Sequence, residues 1–95
     1  MPKGYVIARV TVTNPEAYAE YVKGASEAIA KYGGKPLARG GQVETLEGEG
    51  RPRNVVIEFE SFEQAKRYYH SPEYQAAKAK REGAGIADIV AVEGA

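Results

Sequence analysis

The chain has 95 residues, 43% of them hydrophobic and 27% charged, with thirteen basic side chains against thirteen acidic ones. That length and composition are those of one folded domain over residues 1–95, and the cancelled charge leaves no general field to attract nucleic acid or an anionic membrane. With no cysteine, disulfides, thiolate catalysis and thiolate metal sites are excluded.

Met1-Pro2-Lys3-Gly4 carries no signal-peptide, myristoylation or membrane-spanning pattern, so a cytoplasmic location is expected. Residues 4–13 alternate as a strand. Val6, Ala8, Val10 and Val12 line one side; Tyr5, Ile7, Arg9, Thr11 and Thr13 line the other. Asn14-Pro15 then supplies an N-cap acceptor and a proline whose missing N–H is harmless at N1. Behind it Tyr18, Tyr21, Val22, Ala25, Ile29 and Tyr32 recur at helical spacing over residues 15–32, and Gly33-Gly34 ends the helix.

Residues 35–46 form a second extended run, broken by Gly40-Gly41, where a bulge or a close backbone approach is expected. A loop over residues 48–52 leads to a third strand at 54–60, with Val55, Ile57 and Phe59 facing away from Val56 and Glu58. Ser61 can cap the next helix. His70-Ser71-Pro72 interrupts it, because proline disfavours helical geometry in the residue before it and restarts a helix well. Helices are therefore expected at about residues 62–70 and 72–82, closed by Gly83 and Gly85, with a last strand at 86–92. The order β-α-β-β-α-β is the split-βαβ, ferredoxin-like arrangement. Its helices cover one face of the sheet, so the largely apolar second face of the first strand is expected to meet another subunit.

Several chemistries fail on spacing. Gly34-Lys35 is followed by Pro36 rather than Ser or Thr, and Gly48-Glu49-Gly50 lacks a third glycine and a following helix, so nucleotide loops are rejected. His70 is the only histidine, which rules out paired-histidine metal sites, and Glu44, Glu47 and Glu49 read as a solvated strand end and loop. Neither a metal nor a cofactor is expected. Ser26 lies inside a helix, while Ser61 and Ser71 have capping work, so no nucleophile elbow exists.

The charged residues inside strands are better candidates. Taking strands one and three as parallel neighbours joined through helix one, Arg9 and Glu58 share the face away from the helices and pair there. Their alternative role is a polar wall of a ligand cavity, with Arg39 as an added cation beside the glycine pair. His70 ends a short helix, where the macrodipole favours a cation. With Tyr68, Tyr69 and Tyr74 nearby it has the residue types for acid–base work on a small molecule.

Gly4-Tyr5-Val6-Ile7-Ala8, Asn14-Pro15-Glu16-Ala17-Tyr18, Tyr32-Gly33-Gly34, Ala38-Arg39-Gly40-Gly41, Val56-Ile57-Glu58-Phe59, Ser71-Pro72-Glu73-Tyr74-Gln75 and Asp88-Ile89-Val90-Ala91-Val92-Glu93-Gly94 resemble, in order, successive blocks of the family called domain of unknown function 1330. The resemblance spans about residues 4–94. It implies an α+β fold: a ferredoxin-like βαββαβ sandwich with a four-stranded antiparallel sheet, in the dimeric α/β-barrel superfamily, where two subunits press their sheets together. That superfamily includes cofactor-independent monooxygenases of quinone synthesis, small-lactone isomerases and haem-degrading members. His70 superficially resembles a helix histidine of the haem-degrading relatives, but the tryptophan of their pocket is missing here.

The leading function is a small-molecule site in each subunit of a homodimer, open to catalysis without a cofactor. Tyr5, Arg9, Arg39, Glu58 and Tyr69 are its ligand-binding candidates, His70 its catalytic candidate, and a small organic acid or aromatic molecule its ligand. The alternative is a non-catalytic binding or assembly module in which the strand charges only specify the dimer.

Overall fold

The computed structural model describes residues 2–95; Met1, the start of the segment read above for targeting signals, lies outside them. Strand β1 (Gly4–Val12) alternates buried and half-buried positions from Gly4 to Val10. Helix α1 (Pro15–Lys31) starts where Asn14 accepts the Ala17 N–H at 3.3 Å. It ends before Gly33, whose φ of 75° is the left-handed conformation expected of one glycine in that pair. After β2 (Lys35–Arg39) and β3 (Arg53–Phe59) come α2 (Phe62–His70), α3 (Pro72–Arg81) and β4 (Gly85–Glu93).

Ser71 makes the break between α2 and α3. Its hydroxyl donates to the Tyr68 carbonyl at 2.7 Å, closing one helix, and accepts the Tyr74 N–H at 3.1 Å, opening the next. Ser61 likewise accepts the Gln64 N–H at 3.1 Å. None of the helices among the described residues is long and apolar enough to cross a membrane.

The sheet order is β2-β3-β1-β4, and every neighbouring pair is antiparallel. This corrects the parallel relation expected of strands one and three: the crossover through α1 joins β1 to β2, and β3 lies between them. The second extended run is also shorter than its 35–46 pattern. The strand stops at Arg39 because Gly40, with φ 69°, turns the chain, and residues 40–50 are exposed. The irregularity in the ladder falls between Pro36 and Ala38, two residues earlier than the glycine pair.

The helices cover one face only. Val6, Ala8 and Val10 of β1 and Val55, Ile57 and Phe59 of β3 pack there against Tyr18, Tyr21, Ala25, Ile29, Tyr68 and Tyr74. Phe59, at 1% exposure, is worth about 2–3 kcal/mol of burial on its own. The opposite face is open. On it Tyr5 stands against Val92, Ile7 against Val90, Arg9 against Asp88 and Thr11 against Ile86. Ile86, Val90 and Val92 remain 55%, 57% and 44% exposed, an apolar stripe without cover in a single chain.

Candidate functional site

A cavity of about 40 Å³ lies between the sheet and the helices, enough for roughly three waters. Its floor is the apolar face of β1 and β3. Its walls carry five tyrosines, Tyr18, Tyr21, Tyr68, Tyr69 and Tyr74, and two arginines, Arg39 and Arg53. The rings form a continuous chain with centroids 5.2 Å apart for Tyr18–Tyr21, 6.1 Å for Tyr21–Tyr74, 4.9 Å for Tyr68–Tyr74 and 5.1 Å for Tyr69–Tyr74. Helix α1 contributes the first two from adjacent turns of its buried stripe. The break at Ser71 turns α3 so that Tyr74 meets both Tyr68 and Tyr69 of α2.

The phenols are held as hydrogen-bond donors and acceptors rather than bases. The Tyr21 and Tyr74 hydroxyls lie 2.9 Å apart, and Arg81 donates to them at 3.4 and 3.1 Å. Burial, reinforced by the neighbouring Tyr74 phenol, pushes Tyr21 well above the ordinary tyrosine range; Tyr68 rises for the same two reasons. Tyr18 is also raised by burial, opposed by the Arg53 charge beside it.

Arg53 is the unusual member. Its Nε is a buried side-chain nitrogen without a hydrogen-bond partner among the described residues. The guanidinium stands 5.7 Å from the Tyr18 ring centroid. A Cβ at Gly40 would come within 2.7 Å of the Arg53 Nη1, the free end of a flexible side chain, so it is the turn, with its φ of 69°, that calls for glycine there. Among the described residues no carboxylate forms an ion pair with Arg53 or Arg39. Arg39 is exposed on β2, the strand left uncovered at the sheet edge, and sits at the cavity mouth.

The six residues singled out from the sequence do not share one lining. Arg39 and Tyr69 border the cavity. His70 is exposed, stacks edge-on against Tyr69 at 5.2 Å, and lies in a separate groove of about 240 Å³ along β4. Tyr5, Arg9 and Glu58 are on the open face, across the sheet from the cavity. The expected Arg9–Glu58 pair does not form: antiparallel register sets Glu58 opposite Tyr5 and Arg9 opposite Asn54. Glu58 instead accepts the Tyr5 hydroxyl at 3.2 Å, a bond that raises the Tyr5 phenol, and Arg9 donates to the Glu49 carbonyl.

Arg53 and Arg81 were not among the sequence candidates. Arg53 had a readable signal, since it shares its parity with Val55, Ile57 and Phe59, the buried set of β3. Arg81 had none, because its phenol partners lie on two helices.

Four antiparallel strands under helices on one face, in the order β2-β3-β1-β4, define a ferredoxin-like protein. The chain belongs to the family Domain of unknown function (DUF1330), whose model matches residues 3–95. No curated protein matches the sequence. Among solved structures it is similar to a protein of unknown function from Rhodopseudomonas palustris, with 19% identity and a TM-score of 0.72 over 99% of this chain and 83% of that one. A dimeric protein of unknown function and ferredoxin-like fold from Bacteroides fragilis is 18% identical, with a TM-score of 0.58 over 96% and 95% of the two chains. SnoaB, a cofactor-independent oxygenase from Streptomyces nogalater, is 13% identical with a TM-score of 0.57 over 97% and 92%.

Proposed function

We propose that two copies of this chain associate in the cytoplasm through the open faces of their sheets, closing a dimeric α/β barrel, and that each subunit binds a small organic molecule between its sheet and helices. The observation that carries the reading is the convergence of five tyrosines and two arginines on one cavity. Packing alone does not call for the Arg53 cation there, since an apolar side chain fills space without the cost of desolvating the buried Nε, and the exposed Arg39 adds a second positive charge at the mouth. The association rests on the exposed Ile86, Val90 and Val92 and on the dimeric state of the Bacteroides fragilis neighbour.

Cofactor-free catalysis extends the proposal. SnoaB, which shares the fold, is a cofactor-independent oxygenase, and protonated phenols can donate hydrogen bonds to a substrate oxygen. His70, beyond Tyr69, is the candidate proton shuttle, since the two ring nitrogens of an imidazole can donate and accept. Tyr5, Arg9 and Glu58 serve the association instead, holding polar positions on the face that meets the partner.

A second reading, an assembly module without a ligand, draws on the cavity's size. About 40 Å³ is well short of the roughly 300 Å³ or more of a drug-sized ligand site, so a larger molecule requires the tyrosine wall to move or its body to stay at the mouth. Two variants separate the readings. Ala25→Leu fills the cavity, because Ala25 lies on its α1 wall, and should abolish thermal-shift responses to small phenols, lactones and organic acids. Val90→Asp should convert a dimer to a monomer by size exclusion with light scattering. A wild-type monomer refutes the association, and a wild type that responds to no compound leaves the module reading in place.

A further inference from the structure

We propose that Arg53 is the anion anchor of this cavity, and that the ligand class is a small monocarboxylate whose head group supplies the partner the Arg53 Nε lacks. The inference rests on the small-molecule reading above and narrows it. A guanidinium carries five donors and keeps its charge at any physiological pH. Leaving one of those donors buried and unpaired opposes folding, and an unsatisfied buried group in a native fold calls for a bound ion or ligand as its explanation.

Three observations point to a carboxylate. The first is the charge balance of the wall: Arg53 and Arg39 line the cavity, every other lining side chain is uncharged, and no carboxylate of the described chain reaches either guanidinium. The second is size. The space holds roughly three waters, which suits the three heavy atoms of a carboxylate with a short or planar body directed toward the mouth. The third is position. Arg53 lies against the Tyr18 ring and beside Gly40, with its Nε buried, while the exposed Arg39 at the mouth meets an anion as it enters. The phenols complete the selection, for burial keeps Tyr21 and Tyr68 protonated and able to donate.

The test is calorimetric titration of the full-length protein with acetate, pyruvate and benzoate, each paired with its neutral amide. At least one acid should bind ten-fold or more tightly than its amide. Arg53→Met should lose that preference, while its ligand-free melting temperature stays level or rises because a buried, unpartnered Nε donor on a half-buried side chain has been removed. Arg53→Lys keeps the charge without the Nε donor, and should bind the acid several-fold more weakly. Acids and amides binding alike would overturn the carboxylate assignment and leave the cavity reading standing. No binding by any of the six overturns the carboxylate assignment, and the response of the wild type to phenols and lactones then decides the cavity reading. Unchanged acid binding in Arg53→Lys and Arg53→Met, or a large loss of ligand-free stability in Arg53→Met, shows that Arg53 is a packing residue and ends the proposal.

Discussion

Ser71→Ala is expected to be among the most damaging single-atom deletions in this chain. Ser71 is 4% exposed, and its hydroxyl both accepts the Tyr74 N–H at 3.1 Å and donates to the Tyr68 carbonyl at 2.7 Å. Losing an N-cap of this kind costs about 0.5–2 kcal/mol, and here the high end applies because the stranded N–H is buried. The Tyr68 carbonyl keeps a weaker bond from the Ser71 N–H at 3.3 Å, so its share is small, about 0.5 kcal/mol by comparison with an ordinary hydrogen bond. The sum is about 2.5 kcal/mol, or a fall in melting temperature of roughly 10–20 °C for a domain of this size. Thermal and urea melts followed by circular dichroism measure it. Ser61→Ala is the comparison, since Ser61 caps one helix without closing another, and should cost about 1 kcal/mol. Near-ultraviolet dichroism should weaken in Ser71→Ala alone, because Tyr68, Tyr69 and Tyr74 meet through the angle Ser71 sets. A cost below about 0.5 kcal/mol, or one no greater than that of Ser61→Ala, refutes the assignment of a double bond-making role.

Two further outcomes follow from charged groups. Lys31, the backbone amide at the α3 start and the Tyr32 hydroxyl hold the Glu73 carboxyl down from its ordinary 4.5 to about 2. The stability it contributes is therefore complete above pH 4.5 and is lost as pH falls toward 2, so Glu73→Gln should flatten the melting-temperature profile across that window; a wild-type profile already flat there contradicts the pairing. Arg9→Met and Glu58→Met should be additive within about 0.5 kcal/mol in a double-mutant cycle, because their partners are Glu49 and Tyr5 respectively; a larger coupling would show that the two charges meet after all.

The helices were legible because short-range chemistry decides them. Asn14-Pro15, Ser61 and Ser71-Pro72 each place an acceptor where orphan N–H groups begin, and the observed starts fall on those residues. Strand β2 was overextended because Val43 and Leu46 suit a strand locally, yet a strand also needs a partner, and β3 begins only at Arg53. The relation of strands one and three could not be read from either strand, since it depends on where the crossover sets β2. That one error propagated to Arg9 and Glu58: they do share a face, as their parity required, but antiparallel register places them four positions apart. Arg53 was the reverse case. Its parity was visible in the sequence, but it stood just before the 54–60 run and carried a charge, and both argued against reading it as part of the buried set.

The two edges of the sheet are unequal. At β2, Pro36 withholds a backbone donor, and the register slips between Pro36 and Ala38, both of which spoil the row of groups that an incoming strand would need. β4 offers nine consecutive residues with no proline and no slip. Endless sheet growth requires two sticky edges, one to receive and one to present. This fold has one, so head-to-tail addition of β2 onto β4, the step by which a single sheet would extend without end, is disfavoured.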